Sequence, residues 1–445
     1  MTTRPFRFLD LFAGVGGFHH ALETEGGQCV LAVERDEECQ QVYRHTFPHT
    51  PLVSDIRSLT VTDAGSDLSG SEVNALVPDH DVLCAGFPCQ PFSKSGHQEG
   101  VRDRSRGTLF YDVMTIVMAK KPSYIMLENV RNLAGPRPQD PWNDIIDSLR
   151  HEGYLVSRTP LVLSPHRMAP QDGGAPQVRD RVFILAYLPH GPQSMPTKPL
   201  VPPEASSGWN PDDWRIDDFL DDDSDIENLG NYRLSDAESM WIEAWQAFVE
   251  RIEADNLPGF PIWVDAFRAG PNIPDGTPAW KTDFLMKNAE FYREHRIVID
   301  SWLGERWGTH NLLVQEFPKS RRKFEWQARK VQPTRSERDL AKLVLQFRPS
   351  GIRVKPATYL PALVAITQTS IIGSRMRRIT PREATRLQGM PDDMFAGTGV
   401  SDSAAYKQLG NAVNVGVVRA AAKTLFDAGE ATWLSRPADA LLATG

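Results

Sequence analysis

The chain predicts an α/β protein with a mainly parallel sheet, and three observations carry that prediction. Across residues 1–190, short apolar strand segments alternate with helical stretches, the pattern of βαβ units whose sheet is covered by helices on both sides. A glycine-rich turn, Gly14-Val15-Gly16-Gly17, follows the first apolar run, so a strand there leads through a tight turn into a helix. At about residue 190 the texture changes: proline, glycine and tryptophan rise and the alternation fades. An inserted, irregular second domain is expected there.

Taken in order, strands are expected over 6–12, 29–34, 82–85, 124–127 and 182–187, and helices over 18–25, 37–47, 110–120 and 142–151. Within the irregular region, 235–255 and 280–307 have helical spacing. The regular pattern returns after about 376. Thr380, Pro381 and Glu383 supply an N-cap, a first-turn proline and a capping-box acid, and 411–428 reads as a final helix of small residues. The expected domains are 1–190, 191–375 and 376–445.

Composition sets milder bounds. With 445 residues, 41% hydrophobic and 24% charged, the chain is long enough for two or three domains with real cores. No apolar run approaches the roughly 18 residues of a membrane span, and nothing resembling a signal peptide opens the chain. Four cysteines (29, 39, 84 and 89) show no CxxC pairing, which argues against zinc and against a disulfide framework and suits a reducing cytosol. The net charge of −8 does not suggest a nucleic-acid binder, but it hides an asymmetry. Residues 190–258 hold 16 acids against 4 bases, whereas 319–355 hold 12 bases against 3 acids. The cluster Lys319, Arg321, Arg322, Lys323, Arg329 and Lys330 reads either as a phosphate-binding face or as a solvated surface with offsetting charges.

Gly86-Phe87-Pro88-Cys89-Gln90-Pro91-Phe92-Ser93 carries chemistry by its position. The apolar run 81–85 ends in a glycine and two prolines that cannot continue a sheet ladder. Cys89 therefore stands at the carboxyl end of a strand, where open α/β sheets present reactive groups, as a nucleophile or as a packed thiol. The glycine turn lacks the third glycine of a dinucleotide fingerprint, since His19 occupies that place. It suits a nucleoside without a pyrophosphate, with Glu34, twenty residues after Gly14, placed to take ribose hydroxyls. Read bare, the turn equally packs a helix on a strand. Glu128, after the strand 124–127, reads by spacing alone as a surface acid. Arg179 and Arg181 alternate along an extended segment and are expected on one face.

Several passages, in order, resemble the cytosine-5 DNA methyltransferases of the bacterial restriction-modification type. They are Asp10-Leu11-Phe12-Ala13-Gly14-Val15-Gly16-Gly17, Glu34, Asp55-Ile56, the Gly86–Ser93 run, Gly107-Thr108-Leu109-Phe110, Glu128-Asn129-Val130 and Gln177-Val178-Arg179-Asp180-Arg181. Near the C-terminus come Arg378 to Pro391 and Gln408-Leu409-Gly410-Asn411-Ala412-Val413. The resemblance covers roughly 1–190 and 376–420. It implies a Rossmann-like methyltransferase domain built from both ends of the chain, with 191–375 as the target-recognition domain and 376–445 as a hinge helix and completing segment.

It also implies roles. Cys89 is the thiolate that adds to carbon 6 of a flipped-out cytosine, Glu128 stabilises nitrogen 3, and Arg179 and Arg181 hold the base or its phosphate. S-adenosylmethionine, leaving as S-adenosylhomocysteine, is the implied cofactor, with no metal. Phe12, Gly14, Gly16, Gly17, Glu34, Asp55, Ile56, Pro88, Leu109, Asn411 and Val413 would line its pocket. Arg35 stands where the family often has tryptophan, which leaves that adenine contact open. Double-stranded DNA is the implied partner, touched by Ser93, Lys94, Arg102 and Arg104 of a mobile loop and by Arg321, Arg322, Lys323, Arg329 and Lys330. The acidic run 217–225 is expected to face away from it. A cognate restriction endonuclease acting on the same site, a monomeric state and a bacterial cytoplasmic, nucleoid-associated location follow by the same analogy. A tRNA-methylating branch usually carries a Cys-Phe-Thr tripeptide in its recognition region, but no cysteine follows Cys89 here. A silent DNA-binding homologue would have lost the cysteine, the glutamate or the glycine turn, and all three stand.

Overall fold

The computed structural model describes residues 5–88, 109–135, 140–189, 191, 193–206, 208–252, 257–271, 273–329, 331–332, 337–363 and 369–429. Cys89, Ser93, Lys94, Arg102, Arg104 and Lys330 lie outside the described residues. The chain divides into two units. Unit 1 comprises 1–214, 362–366 and 384–445, and unit 2 comprises 215–361 and 367–383.

Unit 1 is built on β1 (Phe6–Leu11), α1 (Gly17–Thr24), β2 (Gly27–Val33), α2 (Glu37–Thr46), β3 (Leu52–Val53), α3 (Gly70–Leu76), β4 (Val82–Ala85), α4 (Leu109–Lys120), β5 (Tyr124–Val130), α5 (Asp140–His151), β6 (Leu161–Leu163) and β7 (Arg181–Tyr187). Its described strands form a seven-stranded sheet in the order β3-β2-β1-β4-β5-β7-β6. The first five run parallel, with Phe8 to Leu11 in register with Val82 to Ala85. β7 runs antiparallel between β5 and β6. The β1 segment lies inside the sheet and is buried at five of its six positions, as strands covered by helices on both sides are. Leu9, Leu11, Leu83, Ala85, Ile125 and Leu127 join one core with Val113, Ile116 and Val117 of α4. Each such buried aliphatic contributes about 1.5–3 kcal/mol.

Helix starts follow local chemistry. Asp36 accepts the backbone amides of Glu38 (3.0 Å) and Cys39 (3.2 Å) and so caps α2. Ser69 and Glu72 form a reciprocal capping box at α3.

Unit 2 carries α6 (Asp236–Arg251), β8 (Ile262–Trp263), α7 (Ala279–Glu294), α8 (Arg296–Leu303), β9 (Lys323–Trp326), β10 (Leu343–Arg348), β11 (Gly351–Pro356), β12 (Ile371–Ile372) and β13 (Arg377–Arg378). Its described strands form a six-stranded sheet, β13-β12-β10-β11-β9-β8, so this region holds regular structure that its composition does not announce. Trp245, stacked 4.6 Å from Phe324, packs with Phe248 and Trp302 at the centre of its core. The helical stretch expected over 280–307 is two helices, separated at His295, whose ring packs on Phe291 of the preceding turn.

The acidic run is partly spent inside this unit. Asp223 pairs with the fully buried Arg377 at 2.8 Å, and Arg377 also forks onto both oxygens of Glu383.

α9 (Pro381–Leu387) starts as expected, with Thr380 and Glu383 bonding each other's backbone amides. The helix expected over 411–428 begins later. Asn411 closes α10 (Asp402–Asn411), and α11 (Val415–Ala428) starts after Asn414, whose side chain accepts the Val417 amide at 3.0 Å. A capping asparagine outweighs the helical spacing of the small residues before it.

Candidate functional site

A cavity of about 660 Å³ opens at the carboxyl ends of β1, β2, β4 and β5, where open parallel sheets place their ligands. Its construction begins where β1 ends. Phe12 adopts a left-handed conformation (φ 59°), followed by Gly14 (φ 55°) and Gly16 (φ 87°). A left-handed non-glycine residue costs on the order of 1–3 kcal/mol and persists where surrounding structure enforces it. Here Ala13 is pinned by its amide to the Val33 carbonyl at 2.9 Å. A Cβ on Gly14 would meet nothing within 4 Å, so the turn presents bare backbone to the cavity. Gly16 and Gly17 are outside the cavity lining. A side chain at Gly16 would strike the Phe47 ring, and one at Gly17 would meet Val413 at 2.7 Å. These two glycines let helix α1 pack closely.

Glu34, directly after β2, ties the turn to the next helix. One carboxylate oxygen accepts the Gly14 amide and the other the Asp36 amide, both at 2.7 Å. Each oxygen keeps a second lone pair for a ligand hydroxyl. Asp55 and Ile56 form the neighbouring wall, where the Asp55 side chain accepts the Arg57 amide at 2.9 Å. Phe12, Pro88, Leu109, Asn411 and Val413 complete the set of expected pocket residues on this cavity, and Arg35 lines it as well.

The same cavity reaches Glu128, Asn129 and Arg181. In the β5–β7 ladder Glu128 faces Phe183 and Val130 faces Arg181. Glu128 and Arg181 are thus diagonal neighbours on one face, and they form an ion pair at 3.0 Å. Burial pushes the Glu128 carboxyl above its ordinary value, against the opposing pull of Arg181 and Arg179. Asn129, given no role by sequence reasoning, donates to the Phe87 carbonyl at 2.8 Å. It fixes the chain two residues before Cys89, and its place inside Glu-Asn-Val was the available signal.

Arg179 is placed apart from Arg181. β7 begins at Arg181, so strand alternation does not extend back to 179. The Arg179 side chain is fully buried and donates to the carbonyls of Gly410 (3.0 Å), Ala412 and Leu363 (3.3 Å). It holds the segment that carries Asn411 and Val413. Burial, reinforced by Arg181, lowers its pKa to about 9.

Beneath the turn, Asp10 is fully buried in β1. Burial pushes its carboxyl up to about 8, offset in part by the His19 backbone amide and reinforced by Glu34. The unfolded carboxyl titrates near 3.8, so its contribution is intact below that pH and is lost as pH rises toward 8. Asp10→Asn is expected to remove a stability slope of about 1.4 kcal/mol per pH unit across this window. Urea denaturation at pH 5 and pH 8 checks it, and an unchanged pH dependence contradicts it.

In unit 2, three of the expected DNA-contacting cations, Arg321, Arg322 and Arg329, are engaged internally. The Arg321 guanidinium stands over both the Trp241 (5.1 Å) and Phe347 (4.7 Å) rings and donates to the Arg348 carbonyl. Arg322 pairs with Asp265 at 2.8 Å, and Arg329 donates to the Leu257 carbonyl. The Lys323 ammonium stands 5.1 Å over the Trp263 ring. Among the described residues no cluster of three or more His, Cys, Asp or Glu could hold a metal, and no helix is long and apolar enough to cross a membrane.

A sheet with one reversed strand, a glycine turn tied to an acid on the second strand and a paired glutamate at the end of the fifth define a Rossmann-like α/β enzyme. The chain matches the C-5 cytosine-specific DNA methylase family over residues 6–427. It is 39% identical to the Type II methyltransferase M.AluI of Cellulosimicrobium cellulans, across 93% of this chain and 90% of that protein. It is 28% identical to the Type II methyltransferase M.HpaII of Haemophilus parainfluenzae, across 95% and 89%. Against the Type II methyltransferase M.HhaI of Haemophilus parahaemolyticus it is 39% identical over 41% of this chain and 49% of that protein. The chain therefore belongs to the C-5 cytosine-specific DNA methylase family and is a DNA cytosine-5 methyltransferase.

Proposed function

We propose that the chain methylates carbon 5 of a cytosine flipped out of double-stranded DNA, with S-adenosylmethionine as donor, as the modification enzyme of a Type II restriction-modification system. One observation carries this reading: a single cavity gathers the open turn at Gly14, the Glu34 carboxylate and the Glu128–Arg181 pair. We assign 1–190 and 376–445 to the catalytic body and 191–375 to target recognition. The reading includes a monomer in the bacterial cytoplasm and a restriction endonuclease acting on the same site.

The residues present fit the cofactor. Glu34 offers free lone pairs to a ribose, Phe12, Ile56 and Leu109 offer apolar surface to adenine, and the volume suits a nucleoside-sized ligand. When bound, S-adenosylmethionine supplies an electrophilic methyl group. The protein must make carbon 5 of cytosine nucleophilic. Cys89 does this by adding its thiolate to carbon 6, forming a carbon–sulfur bond and pushing electrons into the ring. Glu128, whose burial favours the protonated form, donates to nitrogen 3 and stabilises the charge that develops. Arg181 holds the Glu128 carboxyl in place. Once carbon 5 has taken up the methyl group, loss of its proton sends the C–H electrons into the ring, breaks the carbon–sulfur bond to return Cys89, and restores aromaticity.

Methylation-sensitive sequencing of DNA from cells expressing the chain tests this reading. One sequence context is expected to acquire 5-methylcytosine, and its absence from cellular DNA overturns the proposal. Glu34→Ala is expected to weaken S-adenosylmethionine binding by roughly tenfold or more, because it removes charge-assisted acceptors worth about 1.5–3 kcal/mol each. Calorimetry reads the change, and an unaltered affinity would remove Glu34 from the cofactor site.

A further inference from the structure

Unit 2 contains a second large cavity, about 780 Å³, between the edge of its sheet and α7. Its walls are aromatic: Trp263 and Trp280 each meet the Phe284 ring edge-on, at 5.6 and 6.1 Å. Beyond that edge contact Trp280 is 61% exposed, which leaves much of a large ring surface in water. The charges around this cleft are lopsided. Of its two acids, Asp265 is neutralised by Arg322, and Glu325 takes both Nε and Nη2 of Arg353 at 2.9 Å. Lys281 and Lys323 line the cleft, the Lys323 ammonium over the Trp263 ring, and among the described residues neither forms an ion pair. An exposed indole face in an aromatic cleft, beside lysines without carboxylate partners, matches a ligand with a flat π-face and an attached anion.

We propose that this cleft holds one unstacked nucleobase of the DNA, distinct from the target cytosine, with its face on Trp280 and its phosphate on Lys281 and Lys323. The inference rests on the chain's being a DNA methyltransferase. It adds a second extrahelical base to the bound state, and such a base is stabilised by stacking that tolerates any base identity. The phosphate contact supplies affinity and register without sequence information.

The test uses the full chain and a duplex series bearing adenine at successive positions around the methylated site, probed with dimethyl sulfate, which alkylates adenine N1 only where the base is unpaired. In wild type, N1 reactivity is expected to appear at one position besides the target. Trp280→Ala is expected to abolish that second signal and weaken duplex binding roughly tenfold, whereas Trp280→Phe retains most of both. Lys281→Ala is expected to lower the salt dependence of binding by about one phosphate contact. A signal confined to the target position, or Trp280→Ala affinity within twofold of wild type, overturns the inference, and so does a cleft that instead takes a protein segment and leaves DNA binding unmoved. Binding is read without turnover, so a methylation failure of the wild-type enzyme is a separate result.

Discussion

Cys89→Ser is expected to abolish methyl incorporation into DNA, with less than about a hundredth of the wild-type rate remaining. The expectation follows from pKa and nucleophilicity. A free thiol near 8.5 is partly thiolate at neutral pH and is intrinsically reactive, whereas a serine hydroxyl needs a strong base to attack. Without addition at carbon 6, carbon 5 stays electron-poor. The other three thiols do not substitute, because Cys29, Cys39 and Cys84 are buried and their burial raises each well above the ordinary thiol value. Label transfer to duplex DNA measures the loss. A duplex with 5-fluorocytosine at the target should form a covalent adduct with wild type and none with the variant. Retained turnover by Cys89→Ser would exclude this sulfur as the nucleophile.

Glu128→Gln is expected to lower the single-turnover rate by roughly a hundredfold, and Glu128→Ala by more. Glutamine keeps an N–H for nitrogen 3 but has no proton to give, while alanine also leaves the half-buried Arg181 without its carboxylate partner. The pH profile separates chemistry from packing. Because burial raises the Glu128 carboxyl, the wild-type rate should fall on the alkaline side as that proton is lost. The alkaline fall should be absent from the glutamine variant, and its persistence there would assign the limb to another group.

Much of unit 1, and the start of α9, was legible because the signals are local. The glycine turn, the acid after the second strand and the Thr380–Glu383 capping box each depend on neighbouring residues, and the structure puts them where the spacing says. What escaped depends on long-range partners. Arg179 and Arg181 look equivalent in sequence, but a ladder beginning at 181 sends one to the cavity and the other to the carbonyls of Gly410 and Ala412. The helix start at Val415 was obscured because small residues before Asn414 keep the helical period. The sheet of unit 2 was hidden for another reason. Its strands are two to six residues long, and β10 is buried at five consecutive positions, so no alternation marks it. The cations of 319–330 were legible as a cluster, but their engagement with rings, carbonyls and Asp265 was not.

The grip of Arg179 on residues 410 and 412 has a consequence for biogenesis. A ribosome-bound chain that has emitted only its first few hundred residues possesses the glycine turn and both glutamates but not the wall that Asn411 and Val413 contribute. Until that late segment arrives, a buried guanidinium lacks the carbonyls it was shaped to bind. Such contacts between distant stretches of chain delay folding, so the cavity is completed only after residues 410–413 have been made.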